Sequence, residues 1–166
     1  NDPLRLDFDR QLKLEFHGST VTSDAGLLVY RELDDALALT CPAATGLHDT
    51  RTGHNTQHSL LALLRQSLYS RLAGYEDLND AARLSTDPTF RLIGSPKRWD
   101  RSAALTSTLH WFETELLTRE ENLVGLMAVN REVIGQAETF DHADRVVLDM
   151  DASESPVHGR QEGSAY

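Results

Sequence analysis

The sequence has 166 residues, of which 40% are hydrophobic and 25% charged, so it can form one domain with a core, or one small domain and part of another. Its formal net charge of −10 argues against a uniformly basic nucleic-acid binder, and no window is apolar over the length that a membrane helix needs. The single cysteine, Cys41, rules out an internal disulfide and favours the reducing cytoplasm as the compartment.

The charge is unevenly distributed along the chain. Residues 51–101 carry 8 basic and 5 acidic side chains, whereas residues 1–50 carry 4 and 9 and residues 102–166 carry 4 and 12. A basic middle in an acidic chain is compatible with a local surface that contacts phosphates, but an ordinary solvated face gives the same imbalance. Both interpretations stay open at this point.

The N-terminal elements are predicted to be two strands and a helix. Apolar and polar residues alternate over 4–9 and again over 13–16, which is typical of strands. Thr22 or Ser23 can then cap a helix that ends near Thr40. Its predicted apolar stripe consists of Leu27, Leu28, Tyr30 or Arg31, Leu33 and Leu37.

A loop with one helical turn is expected over residues 41–53, followed by a helix over about 55–73 that Gly74 terminates. Arg65 and Arg71 are predicted to point away from the core side of this helix. That core side is predicted to consist of Leu60, Leu61, Leu63, Leu64, Leu68 and Leu72.

Two short helices are predicted next, over about 77–84 and 87–93. A helix, a turn with Gly74 and a second helix have the spacing of a DNA-binding helix-turn-helix unit, and the candidate DNA contacts of this region are Arg65, Arg71 and Arg83. Such pairs also occur as plain packing units, so the sequence alone leaves both interpretations open.

The linker over 94–101 interleaves basic residues with an aromatic one. Lys97, Arg98 and Arg101 accompany Trp99, a combination that can hold a nucleic-acid backbone and stack a base, although a surface loop anchored by Trp99 is the alternative. Two further helices are predicted over about 104–117 and 119–138. Their core candidates are Leu105, Leu109, Phe112, Leu116, Leu123, Leu126, Met127 and Ile134.

The terminal stretch from Val146 to Met150 is predicted to be a strand that enters a turn at Ser155-Pro156. Side chains alternate along a strand, so Asp149 and Asp151 share one face. Two carboxylates on a rigid support suit a hard cation such as Mg²⁺, while the alternative is a solvated acidic pair at a strand end.

Three stretches together resemble the DDE transposases of bacterial insertion sequences, and more narrowly the group called transposase DDE domain group 1. They are Phe16–Leu28, Arg65-Gln66 with Gly74–Ala81, and Leu148–Gly159, in the family's order and spread over nearly the whole chain. The resemblance implies an α+β, mainly helical protein in which short N-terminal strands and a helical region lead into the first strand of an RNase H-like core. The implied divisions are an N-terminal strand segment over 1–20, the helical region over 21–140, and the start of the catalytic core over 141–166.

The resemblance also implies the chemistry. Asp151, followed by a small residue and a hydroxyl residue, corresponds to the first catalytic acid, with Asp149 as second choice. The family binds two divalent metals, Mg²⁺ or Mn²⁺, between three acidic residues. The implied partners are transposon-end DNA and further copies of the chain, in the bacterial cytoplasm at the nucleoid and away from membranes.

The second Asp and the Glu of the triad are not among the printed residues. We therefore expect an N-terminal fragment of a transposase that is inactive by itself. The alternative is a non-catalytic helical module, left from a decayed transposase, that binds DNA or a protein.

Overall fold

The chain, as a computed structural model, is described over residues 4–15, 24–52, 56–94, 102–140, 142, 144, 145 and 147. In this part of the chain the fold is mainly helical with one two-stranded sheet, which confirms the predicted α+β class. The elements are β1 (Leu4–Leu6), β2 (Asp9–Leu14), α1 (Leu27–Leu37), α2 (Ala43–Gly46), α3 (Leu60–Leu72), α4 (Ala81–Leu84), α5 (Pro88–Gly94), α6 (Thr106–Trp111), a π-helical turn (Phe112–Leu116) and α7 (Glu120–Phe140).

The N-terminal hairpin covers one side of the helices. β1 and β2 are antiparallel, with Leu4 opposite Leu14 and a register shift after Arg5. The buried side chains of Leu6 and Leu14 pack against Leu28 of α1 and Leu92 of α5. The alternation in the sequence predicted two N-terminal strands, which is confirmed, but their bounds differ: the chain turns at residues 7–8, inside the first predicted strand, and β2 already begins at Asp9.

The long helix α3 lies at the centre of the described fold. The hydroxyl of Ser59 accepts a hydrogen bond from the backbone N–H of Ala62 at 3.2 Å and so caps the helix N-terminus. Beyond its C-terminus the chain turns at Gly74, whose φ of 86° is the left-handed conformation that glycine adopts readily. α3 packs against α5, and α5 in turn packs against α1.

Two larger apolar clusters flank α3. One cluster joins α2, α3, α4, α6 and the π-helical turn around Leu63, Phe112 and Leu116, none of which is exposed. The other joins α1, α3, α4 and α5 around Leu27, Tyr69, Leu84, Phe90 and Ile93. Together with the hairpin cluster they fix the relative positions of the helices.

Helix α7 packs against the rest through its first turns. Of its 21 residues, Asn122 and Gly125 are buried. The Asn122 side chain donates to the carbonyl oxygens of Leu116 and His48, at 2.9 and 3.1 Å, and accepts from the His48 N–H at 2.6 Å. Gly125 lies directly against the backbone of Gly46 at the end of α2.

The predicted core faces are wrong at several positions. Leu33, Leu68 and Leu72 are 47%, 42% and 59% exposed, because α1 and α3 turn polar side chains inward around a buried network of charges, described in the next subsection. Four core candidates of the later helices, Leu105, Leu123, Met127 and Ile134, are exposed as well.

The helix predicted over 77–84 is a single turn, Ala81–Leu84. Asp77 instead accepts hydrogen bonds from the backbone and side-chain nitrogens of Asn79, and this local bonding competes with helix formation. Within the described residues, no helix has the length and hydrophobicity needed to cross a membrane.

Candidate nucleic-acid interface

Arg65, a predicted DNA contact, is buried, with its side chain only 4% exposed. Its Nε lies 2.8 Å from Oδ2 of Asp34, and its Nη2 donates to Oδ1 of Asp35 at 2.8 Å. Both carboxylates belong to α1, so the guanidinium joins α3 to α1. In this conformation Arg65 stabilises the helical core and has no surface with which to touch a phosphate.

The carboxylate of Asp34 accepts hydrogen bonds from Thr40 and Tyr69. The backbone N–H and the hydroxyl of Thr40 donate to it at 2.8 and 2.7–2.9 Å, and the phenol of Tyr69 donates to Oδ2 at 2.9 Å. Burial and the adjacent Asp34 carboxylate raise the pKa of Tyr69 well above its ordinary value, so this phenol stays a donor. A buried carboxylate with this many donors is fully satisfied.

Arg31 completes this network and extends it to a third helix. Its Nε donates to Oδ2 of Asp35 at 2.9 Å, and its Nη1 donates to the carbonyl oxygens of Leu92 and Ile93 at the end of α5. Two arginines and two aspartates make the network neutral. We call Arg31, Asp34, Asp35, Arg65 and Tyr69 the buried charge network.

Arg71 is the second predicted DNA contact on α3. Its side chain is 47% exposed, and its guanidinium forms an ion pair with Glu113. Its Nη1 and Nη2 each donate to one carboxylate oxygen of Glu113 at 2.9 Å, and Nη1 also donates to the hydroxyl of Ser67 at 2.7 Å. This bidentate pair joins α3 to the π-helical turn. Arg71 therefore reaches the surface next to a carboxylate that lowers its attraction for phosphate.

Burial and hydrogen bonding shift the pKa of Glu113 in opposite directions. Burial of its side chain tends to raise the pKa, but hydrogen bonds from Arg71 and Ser67 outweigh this effect, so the pKa of Glu113 lies below its ordinary value. Glu113 is consequently a carboxylate at neutral pH, and the ion pair is intact there.

Arg83 is the most exposed of the described candidates, with 65% of its side chain accessible. Its guanidinium lies 5.3 Å from the centroid of the Tyr75 ring and 3.1 Å from Oδ1 of Asp80. Its Nε and Nη2 both donate to Oδ1 of Asp80, at 3.4 and 3.1 Å, so this exposed guanidinium also has a carboxylate partner.

Lys97, Arg98 and Arg101 lie outside the described residues, but the two ends of their linker are described. Gly94 and Ser102 both line a cavity of about 330 Å³ beside the N-terminus of α3. Arg91, His58 and Ser59 line the same cavity. The linker thus starts and ends at a pocket with a cationic and a hydroxyl side chain, and Arg91 is a candidate that the sequence interpretation had not identified.

Asp149 and Asp151 also lie outside the described residues, as does nearly all of the predicted strand over 146–150. Val147 is described, and its side chain is 72% exposed. In the part of the chain that the structure describes, no group of three or more His, Cys, Asp or Glu side chains is placed to hold a metal. The assignment of Asp149 and Asp151 as metal ligands stays a prediction.

Comparison with known families identifies the class of protein. The model of the family described as Transposase DDE domain group 1 matches residues 4–166, so the chain is a transposase of the DDE type. It belongs to that family over nearly its whole length, as its sequence motifs predicted. No curated protein and no solved structure matches the chain.

Sequence reasoning missed the buried charge network. One local signal exists, since Arg31, Asp34 and Asp35 stand at positions i, i+3 and i+4 of a helix and can form an ion pair on its surface. The decisive partner, Arg65, lies 30 residues further along the chain, and helical periodicity carries no information on a contact of that kind.

Proposed function

We propose that this transposase chain binds transposon-end DNA and that Asp151, with Asp149 as the alternative, is the first acidic ligand of a metal-dependent DNA cleavage and strand-transfer site. The observation that carries the proposal is the family match, which extends through the Leu148–Gly159 segment that contains both aspartates. The segment over 141–166 is proposed as the start of an RNase H-like core. Its place of action is the bacterial cytoplasm at the nucleoid.

The donor set suits the proposed metal. Asp149 and Asp151 stand at alternate positions of a segment that the sequence predicts to be a strand, which would put their carboxylates on one face, and oxygen donors are what Mg²⁺ and Mn²⁺ prefer. When bound, a pair of such metals activates the attacking hydroxyl and stabilises the leaving oxygen. The proposed role of the two carboxylates in this chain is to hold the metal and to orient it.

The DNA-binding surface is proposed to centre on the linker. The linker that carries Lys97, Arg98 and Arg101 follows Gly94 and precedes Ser102, and both of these residues line the cavity beside the N-terminus of α3. Arg91 lines the same cavity, and a helix N-terminus favours an anion. Arg83 and Arg71 are proposed as additional contacts. The chain as a whole is acidic, so only a local surface of this kind can attract the DNA backbone.

Arg65 has a supporting role in this proposal. It fixes α3 against α1 through Asp34 and Asp35. Because α3 lines the cavity and carries Arg71, the buried charge network positions part of the proposed surface without touching DNA.

A metal titration tests the site. Mn²⁺ is titrated into the 166-residue chain in the presence of transposon-end DNA. Its binding is followed by the electron paramagnetic resonance signal of free Mn²⁺. We expect Asp151→Asn to weaken Mn²⁺ binding and Asp144→Asn, an exposed aspartate a few residues earlier, to leave it unchanged. Equal affinities for the original chain and for the Asp149→Asn, Asp151→Asn double variant would refute the proposed ligands.

Cleavage is a separate measurement. One adjacent pair of carboxylates cannot hold two metals in the geometry of two-metal catalysis, so we expect these 166 residues alone to bind end DNA without cutting it. Strand cleavage by this chain that disappears in Asp151→Asn would show that the expectation is wrong.

The alternative function is a non-catalytic helical module that binds DNA or a protein. In its favour, the described residues over 4–140 form three apolar clusters among themselves. Under this alternative, DNA binding is the same with and without Mg²⁺, and Asp151→Asn has no effect on any measured property.

A further inference from the structure

An open apolar groove of about 580 Å³ lies between helix α7 and the helices α1 and α3. Its α7 wall consists of half-buried side chains. On the opposite wall, Leu33, Leu68 and Leu72 are 47%, 42% and 59% exposed. We call these residues the apolar groove, together with the α7 residues Leu126, Val129 and Val133.

The polar side chains that line the same groove are bonded to one another. The Thr40 hydroxyl and the Tyr69 phenol both donate to the carboxylate of Asp34. Single exposed apolar side chains are normal on protein surfaces, whereas several on facing walls mark a surface that binds something. The occupant that fits is therefore apolar on the side that enters the groove.

The chain itself offers such an occupant shortly after α7. The sequence predicts a strand over residues 146–150, in which Val146, Leu148 and Met150 share one face. Val147 would stand on the opposite face with the two aspartates, and its side chain is 72% exposed. An exposed Val147 is what the structure requires if the other face of the predicted strand is turned toward the helices.

The lengths of the connecting segment and of the groove are compatible with this contact. Val133 stands seven positions before the end of α7 at Phe140, which is about 10 Å along the helix. The six residue steps from Phe140 to Val146 span at most about 20 Å, so the chain can turn after α7 and run back beside it. A strand of five residues is about 16 Å long, enough to cover the roughly 10 Å between Val133 and Leu126.

We propose that the predicted strand over 146–150 lies in the apolar groove of its own chain, antiparallel to α7. Val146, Leu148 and Met150 then pack between the leucines of α3 and the valines of α7. The contact removes the exposed faces of Leu68 and Leu72 from water together with three aliphatic side chains of the strand.

The short connection favours this occupant over a free molecule. A segment that is joined to its binding site by a few residues has an effective concentration on the order of millimolar. A separate protein has to reach a comparable concentration, or bind more tightly, to displace it. The groove is therefore assigned to the chain's own segment, and other occupants become outcomes of the experiment.

The proposed contact has a consequence for the acidic residues. With Leu148 in the groove, Asp149 and Asp151 project from the opposite face of the strand, away from the helices. The groove then acts as the rigid support that fixes their direction, and its leucines are positioning residues. This consequence rests on the proposed function, whereas the packing of the strand does not.

Disulfide cross-linking of the 166-residue chain tests the packing. In a Cys41→Ser background, Leu148→Cys is combined either with Leu72→Cys or with Val129→Cys, one position on each wall. We expect oxidation to give a disulfide within one chain in at least one of the two pairs, because bridged Cα atoms must lie within about 7 Å. Peptide mapping by mass spectrometry identifies the bond, and the oligomeric state of the product shows whether it joins one chain or two.

The matched control replaces Leu148→Cys by Val147→Cys with the same two partners. The neighbouring residue has the same distance along the chain but the opposite face, so we expect little cross-linking. The proposal is overturned if neither Leu148→Cys pair forms a bond within the chain, if Val147→Cys links equally well, or if the bond joins two chains. The last result would assign the groove to a second copy.

Mn²⁺ binding tests the positioning role. We expect the double variant Leu68→Gln, Leu72→Gln to weaken Mn²⁺ binding about tenfold, as loss of the residues that orient metal ligands commonly does. The control is Leu123→Gln, Val124→Gln, at exposed positions of α7 outside the groove, and should leave the affinity unchanged. Equal affinities for both double variants would refute the positioning role. Mn²⁺ binding that does not depend on Asp149 or Asp151 would refute the proposed function instead, while the cross-link would still form.

Discussion

The guanidinium of Arg65 has two carboxylate partners, of which Asp34 is 3% and Asp35 is 30% exposed in the side chain. Charges removed from water in this way are tolerated because each has an opposite charge and several hydrogen bonds. The consequence is an asymmetry: the complete network is stable, but any incomplete version leaves a charge buried without its partner.

Replacement of Arg65 by Met is therefore expected to destabilise the fold strongly. Arg65→Met keeps much of the side-chain volume but leaves Asp34 buried beside Asp35, and we expect the free energy of unfolding to fall by about 3–5 kcal/mol. Urea denaturation followed by circular dichroism measures the loss. The matched control is Arg83→Met, which breaks an exposed ion pair and is expected to cost no more than about 1 kcal/mol.

The Arg71–Glu113 pair predicts a specific pH dependence. The pKa of Glu113 in the folded chain lies below its ordinary value of 4.5, so the stabilising ion pair is complete above that value and is lost as pH falls through the lower folded pKa. We expect Glu113→Gln to be less stable than the original chain by about 1–2 kcal/mol near pH 6, with the difference shrinking toward pH 3. Denaturation over a pH series checks this, and a difference that grows toward acid would contradict it. Glu121→Gln, at an exposed position, is the control.

At the scale of elements, α7 depends on a close backbone contact with α2. A Cβ atom on Gly125 would lie 2.2 Å from the carbonyl oxygen of Gly46, so a side chain there forces the two helices apart. The same helix contains Gly135, where a Cβ would meet nothing within 4 Å. Two glycines of one helix thus provide a direct comparison.

The two alanine substitutions are expected to have opposite effects. Gly125→Ala should lower the free energy of unfolding by about 1–3 kcal/mol, because the clash with a backbone oxygen cannot relax without moving α7. Gly135→Ala should raise it by about 0.5–1 kcal/mol, because alanine favours the helix. Urea denaturation of both variants suffices, and equal signs for the two changes would show that the α2–α7 contact is not as described.

Local pattern was sufficient for the positions of most elements. Alternation predicted two N-terminal strands, although not their bounds, and a turn signal followed by Pro88 predicted α5 nearly to the residue. The prediction of the inward face of α3 was wrong because periodicity assigns leucines to the core. Leu68 and Leu72 are exposed, and Arg65 is buried. An arginine can be predicted to lie in the core only when its partner carboxylates are known. Here those carboxylates belong to α1, far from Arg65 in the sequence.

The candidate site was predicted less completely than the fold. The motifs around Gly74 and Leu148–Gly159 identified the family, which the match over residues 4–166 confirms. They could not show that Arg71 is held by Glu113 or that Arg91 lies at the ends of the linker, since both facts depend on how separate helices pack. The roles of Asp149 and Asp151 stay predictions.

At the scale of the whole molecule, an acidic transposase chain must concentrate its attraction for DNA in a small region. The described helices carry arginines that are mostly committed to carboxylates, as with Arg31, Arg65 and Arg71. The linker over 94–101 has three basic residues, Lys97, Arg98 and Arg101, and one acidic residue, Asp100, and we propose this segment as the main source of attraction for DNA. Most of the salt dependence of DNA binding should originate there.

The most direct test of this account is the salt dependence of DNA binding, measured by fluorescence anisotropy with a labelled duplex. We expect the triple variant Lys97→Ala, Arg98→Ala, Arg101→Ala to bind more weakly and to reduce the slope of log K against log salt by about 2–3. The control removes three exposed arginines elsewhere, Arg10→Ala, Arg119→Ala and Arg131→Ala, and should keep the original slope. An unchanged slope in the linker variant, or an equal loss in the control, would contradict the proposed DNA-binding surface.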